Sequence, residues 1–247
     1  MRPTWRILAV AFAVTGLVAC AGARPPRPTK PPVKRPTVPP APAPTPERTV
    51  ADVMAAVGPA AESRLRAKFE AHGVAYPPRR VALLAFKEER RMEVWAEGDA
   101  GPKFIEVYRI LGTSGDAGPK LHEGDYQVPE GIYRVIWLHP NSSYHLSLKL
   151  DYPNEFDRAR AREDGRTNLG GDIFIHGDDV SVGCLAVGDR AAEDLFVLAA
   201  RIGPENVEVL IAPWDLRHRP PPAKIEQPVR WLGQLYAELA AALDRFR

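Results

Sequence analysis

Cysteine is scarce. The 247 residues contain only Cys20 and Cys184, which leaves room for one disulfide at most. Long apolar runs are missing too: Ile7–Ala19 stops short of the roughly 20 apolar residues that a membrane span needs. Charge of one sign is absent, because without Arg2 and Arg6 the 33 basic residues fall level with the 31 acidic ones. No basic face is interleaved with aromatics, so nucleic-acid binding has no support. No internal repeat recurs at a solenoid or propeller period. Metal chemistry is poorly supplied. His176, Asp178, Asp179 and Cys184 carry ligand atoms, but no second His or Cys cluster accompanies them. Asp178 and Asp179 read as a solvated loop, and neither a metal nor an organic cofactor is expected.

What is present begins with an export signal. Arg2 and Arg6, the apolar stretch and a small-residue exit follow the order of a secretory leader. Leu17-Val18-Ala19-Cys20 resembles the lipobox of bacterial lipoproteins, which implies a signal over residues 1–19 and lipidation of Cys20. Ala21, in place of an aspartate, implies anchoring to the outer membrane of a Gram-negative bacterium, facing the periplasm. Several acyl chains make such an anchor stable. Residues 20–49 are expected to form a Pro-rich basic tether. Within it, Arg24–Pro46 carries five cations and no acid, and as an extended polyproline-like spacer it reaches roughly 70 Å. With Cys20 blocked, Cys184 is an unpaired thiol in an oxidising compartment. An odd cysteine there points to intermolecular pairing or to reactivity.

About 200 residues remain, enough for one domain with a sizeable core. Val50–His72 has apolar residues at helical intervals, with a break expected at Gly58-Pro59, and residues 50–78 form an N-terminal helical segment. Strands are predicted at Val81–Phe86, Arg91–Glu97, Lys103–Leu111, Gly131–Leu138, Tyr144–Leu150, Gly171–His176 and Val207–Ala212. Gly98-Asp99-Ala100-Gly101 supplies hairpin turn chemistry. Helices are predicted at Glu155–Asp164 and Arg190–Ile202. This order indicates an α+β fold, β-rich and mostly antiparallel, over residues 79–213 with flanking N- and C-terminal helices. Residues 214–247 hold a Pro linker and an amphipathic helix with an apolar stripe from Ile225 to Phe246. That stripe either packs on the domain or binds a partner.

The segment Ile173–Asp189, IFIHGDDVSVGCLAVGD, carries the chemistry. His176 ends an apolar run, and Cys184 follows in a Ser-x-Gly-Cys turn. A thiol near neutral pH needs an imidazole to take its proton or to hold the thiolate as an ion pair. Gly183 permits close backbone approach, and the amides around Gly183 and Cys184 are candidate donors to an oxyanion. Asp189 is the expected N-cap of the following helix. The set suits acyl transfer through a thioester. A papain-like peptidase places Cys before His, the reverse of the order here.

HGDDVSVGCL resembles the active-site segment of the YkuD-type L,D-transpeptidase catalytic domain. Gly118–Val135 and His139–Ala159 extend that resemblance to its YafK-like branch, over about Arg79–Ala212. The resemblance implies that Cys184 is the nucleophile and His176 the general base and acid, with Ser181 and Gly183 shaping the turn and oxyanion site. It suggests Tyr144 and His145, on a substrate-facing strand, and Gly177 as substrate-binding residues. For His145 a structural hydrogen-bonded histidine is an equal alternative. Lys120, Asp125 and Glu130 fall in a matching segment and are expected as surface turn residues. The chain departs from the broad family in its short His-to-Cys loop, in Val182 before the Gly-Cys pair and in Leu185-Ala186 after it. The branch shares those departures, and the arginine that reads a carboxylate is absent.

The implied activity acts on peptidoglycan stem peptides. Cys184 acylates on diaminopimelate and passes the acyl group to an amine, with an envelope lipoprotein as one acceptor or substrate. The alternatives are an amidase that uses water at the same site and a non-catalytic wall-binding lipoprotein.

Overall fold

Val81–Phe86 is buried along its whole length, and its side chains divide cleanly between two cores. Val81, Leu83 and Ala85 join one cluster, while Ala82, Leu84 and Phe86 join another on the opposite face. Val207–Ala212 divides the same way, with Val207, Val209 and Ile211 on the first side and Leu210 and Ala212 on the second. A strand apolar on both faces has to be covered on both. These two strands are the centre of a sheet with helices on either side.

The computed structural model describes residues 47–98 and 100–247. The signal, most of the tether and Cys20 lie outside the described residues. The chain runs α1 (Val50–Ala71), β1 (Val81–Phe86), β2 (Arg91–Gly98), β3 (Gly101–Arg109), β4 (Gly131–His139), β5 (Ser147–Leu150), α2 (Glu155–Glu163), β6 (Phe174–His176), β7 (Leu185–Ala186), α3 (Asp189–Ile202), β8 (Val207–Ala212) and α4 (Leu232–Leu243). The sheet order is β3-β2-β1-β8-β4-β5-β6-β7. Pairing is antiparallel except between β1 and β8 and between β6 and β7. The α+β, mostly antiparallel architecture read from the sequence is the one observed. No helix among the described residues is long and apolar enough to cross a membrane.

Helix α1 starts on a capping box, in which the Thr49 hydroxyl accepts from the Asp52 amide and Asp52 accepts from the Thr49 amide. It then runs unbroken through Pro59, so the expected break is absent. Proline removes one backbone donor, but Val53, Ala61, Leu65 and Phe69 seat the helix in the core with α3. Tertiary burial outweighs the local penalty. On the other face, Leu235, Tyr236, Leu239 and Leu243 of α4 are buried against the sheet. The C-terminal stripe therefore packs on its own domain. Its helix begins later than the pattern suggested, leaving Ile225 and Val229 in the preceding segment.

Lys120, Asp125 and Glu130 are not surface turn residues. Glu130 is 1% exposed and Lys120 7%. Asp125 closes its loop by accepting from the Leu121, His122 and Gln127 amides and pairs with Lys120 at 2.5 Å. Those amides and the Lys120 ammonium hold the Asp125 carboxyl below the usual carboxylate range, against the opposing effect of burial. These charged residues go inside because each finds a counter-charge: Lys120 and Asp125 pair within the turn, and Glu130 pairs with Lys87 at 3.1 Å.

Candidate active site

Strand β6 is only three residues long, yet it sets the whole site. Ile175 points into the core, and Phe174 and His176, two residues apart, share the opposite face. Strand β7 pairs with it in parallel, Ile175 opposite Leu185 and His176 opposite Ala186. Cys184, one residue before Leu185, therefore comes level with Phe174, whose amide donates to Sγ at 3.3 Å. His176 and Cys184 line one cavity of about 350 Å³, together with His139, Tyr144, Ser147 and Ser181.

The His-to-Cys loop is held at both ends. Asp189 is the first residue of α3 and not its cap; Gly188 takes the cap position. The Asp189 carboxylate instead accepts from the Asp178 amide at 2.8 Å, which fixes the loop as it leaves the histidine. Gly177 is a close-approach position. A Cβ there would lie 2.5 Å from Asp189 Oδ1 and 2.8 Å from the Tyr144 carbonyl. Gly183 takes a φ of +83°, the left-handed region that glycine enters without strain.

The imidazole has a defined tautomer. His176 Nδ1 lies 2.6 Å from the Gly177 carbonyl, which only accepts, so Nδ1 carries the proton and Nε2 is the basic atom. Burial lowers the His176 pKa, partly offset by the Gly177 carbonyl and Asp178. Burial raises the Cys184 pKa; the Phe174 amide and Lys120 oppose this, and Asp172 adds to it. The thiol donates to the Asp172 carbonyl at 3.6 Å, and no hydrogen bond joins it to His176 among the described residues. Both shifts favour the neutral thiol and the neutral imidazole over a preformed ion pair.

The expected oxyanion amides are engaged at rest. The Gly183 amide donates to Ser114 Oγ at 2.7 Å, and the Cys184 amide to Ser181 Oγ at 3.2 Å. Ser114 passes its own hydrogen to the Tyr126 carbonyl at 2.7 Å. Ser181 donates to nothing among the described residues, so its hydroxyl hydrogen is available to the cavity. No group of three or more His, Cys, Asp and Glu side chains among the described residues is placed to hold a metal ion.

The model of the YkuD family, the L,D-transpeptidase catalytic domain, matches residues 80–209. The chain belongs to this family. Over 141 residues the L,D-transpeptidase domain is 34% identical to "Putative L,D-transpeptidase YafK" of Escherichia coli K12 and, equally, of Escherichia coli O157:H7. The match covers 55% of this chain and 55% of each relative, so the chain spans little more than half the length of the curated relatives it matches. Among solved structures it is similar to the helical cell shape determining protein Pgp2 of Campylobacter jejuni, at 22% identity and a TM-score of 0.43 over 56% of this chain and 49% of that one. It is also similar to Mycobacterium tuberculosis L,D-transpeptidase 1, at 12% identity and a TM-score of 0.32 over 53% and 61%.

Within this L,D-transpeptidase domain the structure brings Cys184, His176, Ser181 and Tyr144 to one cavity. The Tyr144 ring lies over His176, centroids 4.7 Å apart. Tyr144 and His145 stand in the turn before β5, not on the strand expected for them, because His145 has a φ of +67°. His145 Nε2 meets Glu193 of α3 at 3.1 Å, which is the structural alternative. Ser114, His139, Lys149, Asp172 and Phe174 escaped the sequence reading. Each meets the site only through strand register or a loop contact, and only Asp172 and Phe174, just before His176, lie near the motif in sequence.

Proposed function

We propose that this L,D-transpeptidase domain works as a cysteine acyltransferase on peptidoglycan stem peptides. The observation that carries the reading is the placement of Cys184 and His176 on one sheet face of a shared cavity, with Nε2 left as the base. As the Cys184 Sγ attacks the carbonyl of a diaminopimelate residue, its proton passes to His176 Nε2. The C–N bond to the next residue breaks, and His176 returns the proton to the departing amine. A thioester on Sγ remains. An acceptor amine then attacks that carbonyl, the C–S bond breaks, and the acceptor's proton returns through His176 to the thiolate. The Ser181 hydroxyl is the donor best placed to stabilise the oxyanion. The reaction needs no cofactor.

Water in place of the amine turns the same steps into hydrolysis, and an envelope lipoprotein is one candidate acceptor or substrate. Incubating the protein with diaminopimelate-containing muropeptides tests the reading: we expect an acyl adduct on Cys184, seen by mass, that disappears in Cys184→Ala. No adduct on the wild type under any condition would overturn it, and cross-linked or trimmed products identify the acceptor. In the same reading, Cys20 is lipidated and the domain faces the periplasm from the outer membrane. Cys20→Ala should then release the protein into the soluble fraction, and its retention with outer membrane would refute the anchor.

A further inference from the structure

Strand register places a cation in the nucleophile's own row. Across β4, β5 and β6, Trp137 is opposite Lys149 and Lys149 is opposite Phe174. Phe174 in turn holds Cys184 through its amide. The neighbouring row is His139, Ser147 and His176, all of which line the cavity. Residues two apart on a strand share a face, so Lys149 stands on the same face as Ser147. Its backbone is two strand spacings from Cys184, roughly 9–10 Å. The Lys149 ammonium lies 5.8 Å from the centre of the cavity-lining Phe174 ring.

Lys149 Nζ donates to Asp172 Oδ1 at 2.6 Å, and the backbone carbonyl of the same Asp172 accepts the Cys184 thiol. Asp172 therefore touches both the cation and the nucleophile. It does so with its side chain 77% exposed and its backbone at a φ of +55°. So exposed an ion pair adds little to stability, about 0–1 kcal/mol. Left-handed backbone at a residue other than glycine is uncommon and gathers at functional sites. The Asp172 carboxylate also favours the protonated thiol.

We infer that Lys149 is the carboxylate anchor of this site: it binds a carboxylate of the acyl-donor peptide, and Asp172 holds that place until the peptide arrives. The inference rests on the reading of the domain as acting on stem peptides. Exchange of one carboxylate for another conserves the charge at Lys149 and draws the Asp172 side chain from the thiol. Two donor groups have the required chemistry: the terminal carboxylate of the leaving residue and the free side-chain carboxylate of the diamino acid.

The test uses the full chain and a tetrapeptide stem in three forms, unmodified, amidated at its terminus and amidated at the diamino-acid side chain. Acylation of Cys184 is followed by mass. A charge-assisted contact of this kind is worth about tenfold to a hundredfold in affinity. Lys149→Met should raise KM by about that factor and change the maximal rate less than about threefold. Asp172→Asn should lower KM. A merely structural ion pair would shift both variants the same way, so opposite signs are the signature. The amidated form that reproduces the Lys149→Met loss in wild type, and adds none in Lys149→Met, identifies the carboxylate. Equal KM in all three proteins, shifts of the same sign, or indifference to both amidations would overturn the proposal. Calorimetry of the same peptides on Cys184→Ala, with and without Lys149→Met, reads the anchor without any thioester. Peptide binding that depends on Lys149 without acylation in wild type would sink the acyltransferase reading and leave the anchor standing. Acylation indifferent to Lys149 would do the reverse.

Discussion

His176→Gln will slow acylation of Cys184 at neutral pH by about 10²–10⁴-fold, the usual worth of a positioned proton-transfer group. The reason is the resting state of the thiol. Burial and Asp172 keep its pKa above the ordinary cysteine value, so the thiolate forms only as the proton leaves for His176. Burial also holds the His176 pKa below its ordinary value. The imidazole is therefore a free base at pH 7, and the acid limb of the acylation profile should fall below the usual histidine range. Alkylation of Cys184 by iodoacetamide checks the same point without substrate. Its rate should rise only at alkaline pH, above the midpoint of a free cysteine, and His176→Gln should leave that alkaline rate nearly unchanged. The unchanged alkaline rate also shows that the variant has folded around its thiol. A fast plateau through neutral pH, lost in His176→Gln, would mean a preformed thiolate–imidazolium pair and would refute this account.

Cys184 and His176 were legible as a pair because the parallel β6–β7 pairing brings two residues eight apart in sequence to one cavity. The central strands were legible for a related reason: six consecutive apolar residues at Val81–Phe86 match a strand buried on both sides. What the sequence hid depended on distant partners. The Gly183 amide finds Ser114 sixty-nine residues away, and no local pattern announces that hydrogen bond. Asp189 reads as a cap because its type and position suit one, yet its carboxylate goes to the Asp178 amide. Pro59 reads as a break because local propensity says nothing of the α3 surface beneath it. Glu130 reads as a surface residue because its counter-charge, Lys87, lies forty-three residues away. Alternation and short-range motifs are written locally. Buried charge and backbone capping are settled only when the chain has closed on itself.

Glu130→Ala will cost about 3–5 kcal/mol of stability, because it leaves the Lys87 ammonium buried without its counter-charge. Lys87 is 6% exposed, and its Nζ lies 3.1 Å from Glu130 Oε1, 2.7 Å from the Asp116 carbonyl and 3.2 Å from the Val128 carbonyl. Burial depresses the lysine pKa, and Glu130 opposes that effect. The same carboxylate serves the rest of the domain: Oε1 also accepts from the Gly118 amide at 2.8 Å, and Oε2 accepts from the Tyr236 hydroxyl of α4 at 2.8 Å. One side chain thus joins Lys87, just after β1, to α4 and to the loop that carries Ser114 to the Gly183 amide. Tyr236→Phe removes a single hydrogen bond and should cost about 1 kcal/mol. Urea unfolding of the three proteins separates the cases. A Glu130→Ala loss no larger than that of Tyr236→Phe would show that Lys87 finds another partner or sheds its proton without penalty. In the double variant Lys87→Met/Glu130→Ala the charge and its orphan leave together, so stability should recover part of the loss. The Ser114–Gly183 bond ties this pair to the turn that carries Cys184. Glu130→Ala should therefore lower the acylation rate even where the protein remains folded, whereas Tyr236→Phe should leave that rate close to wild type.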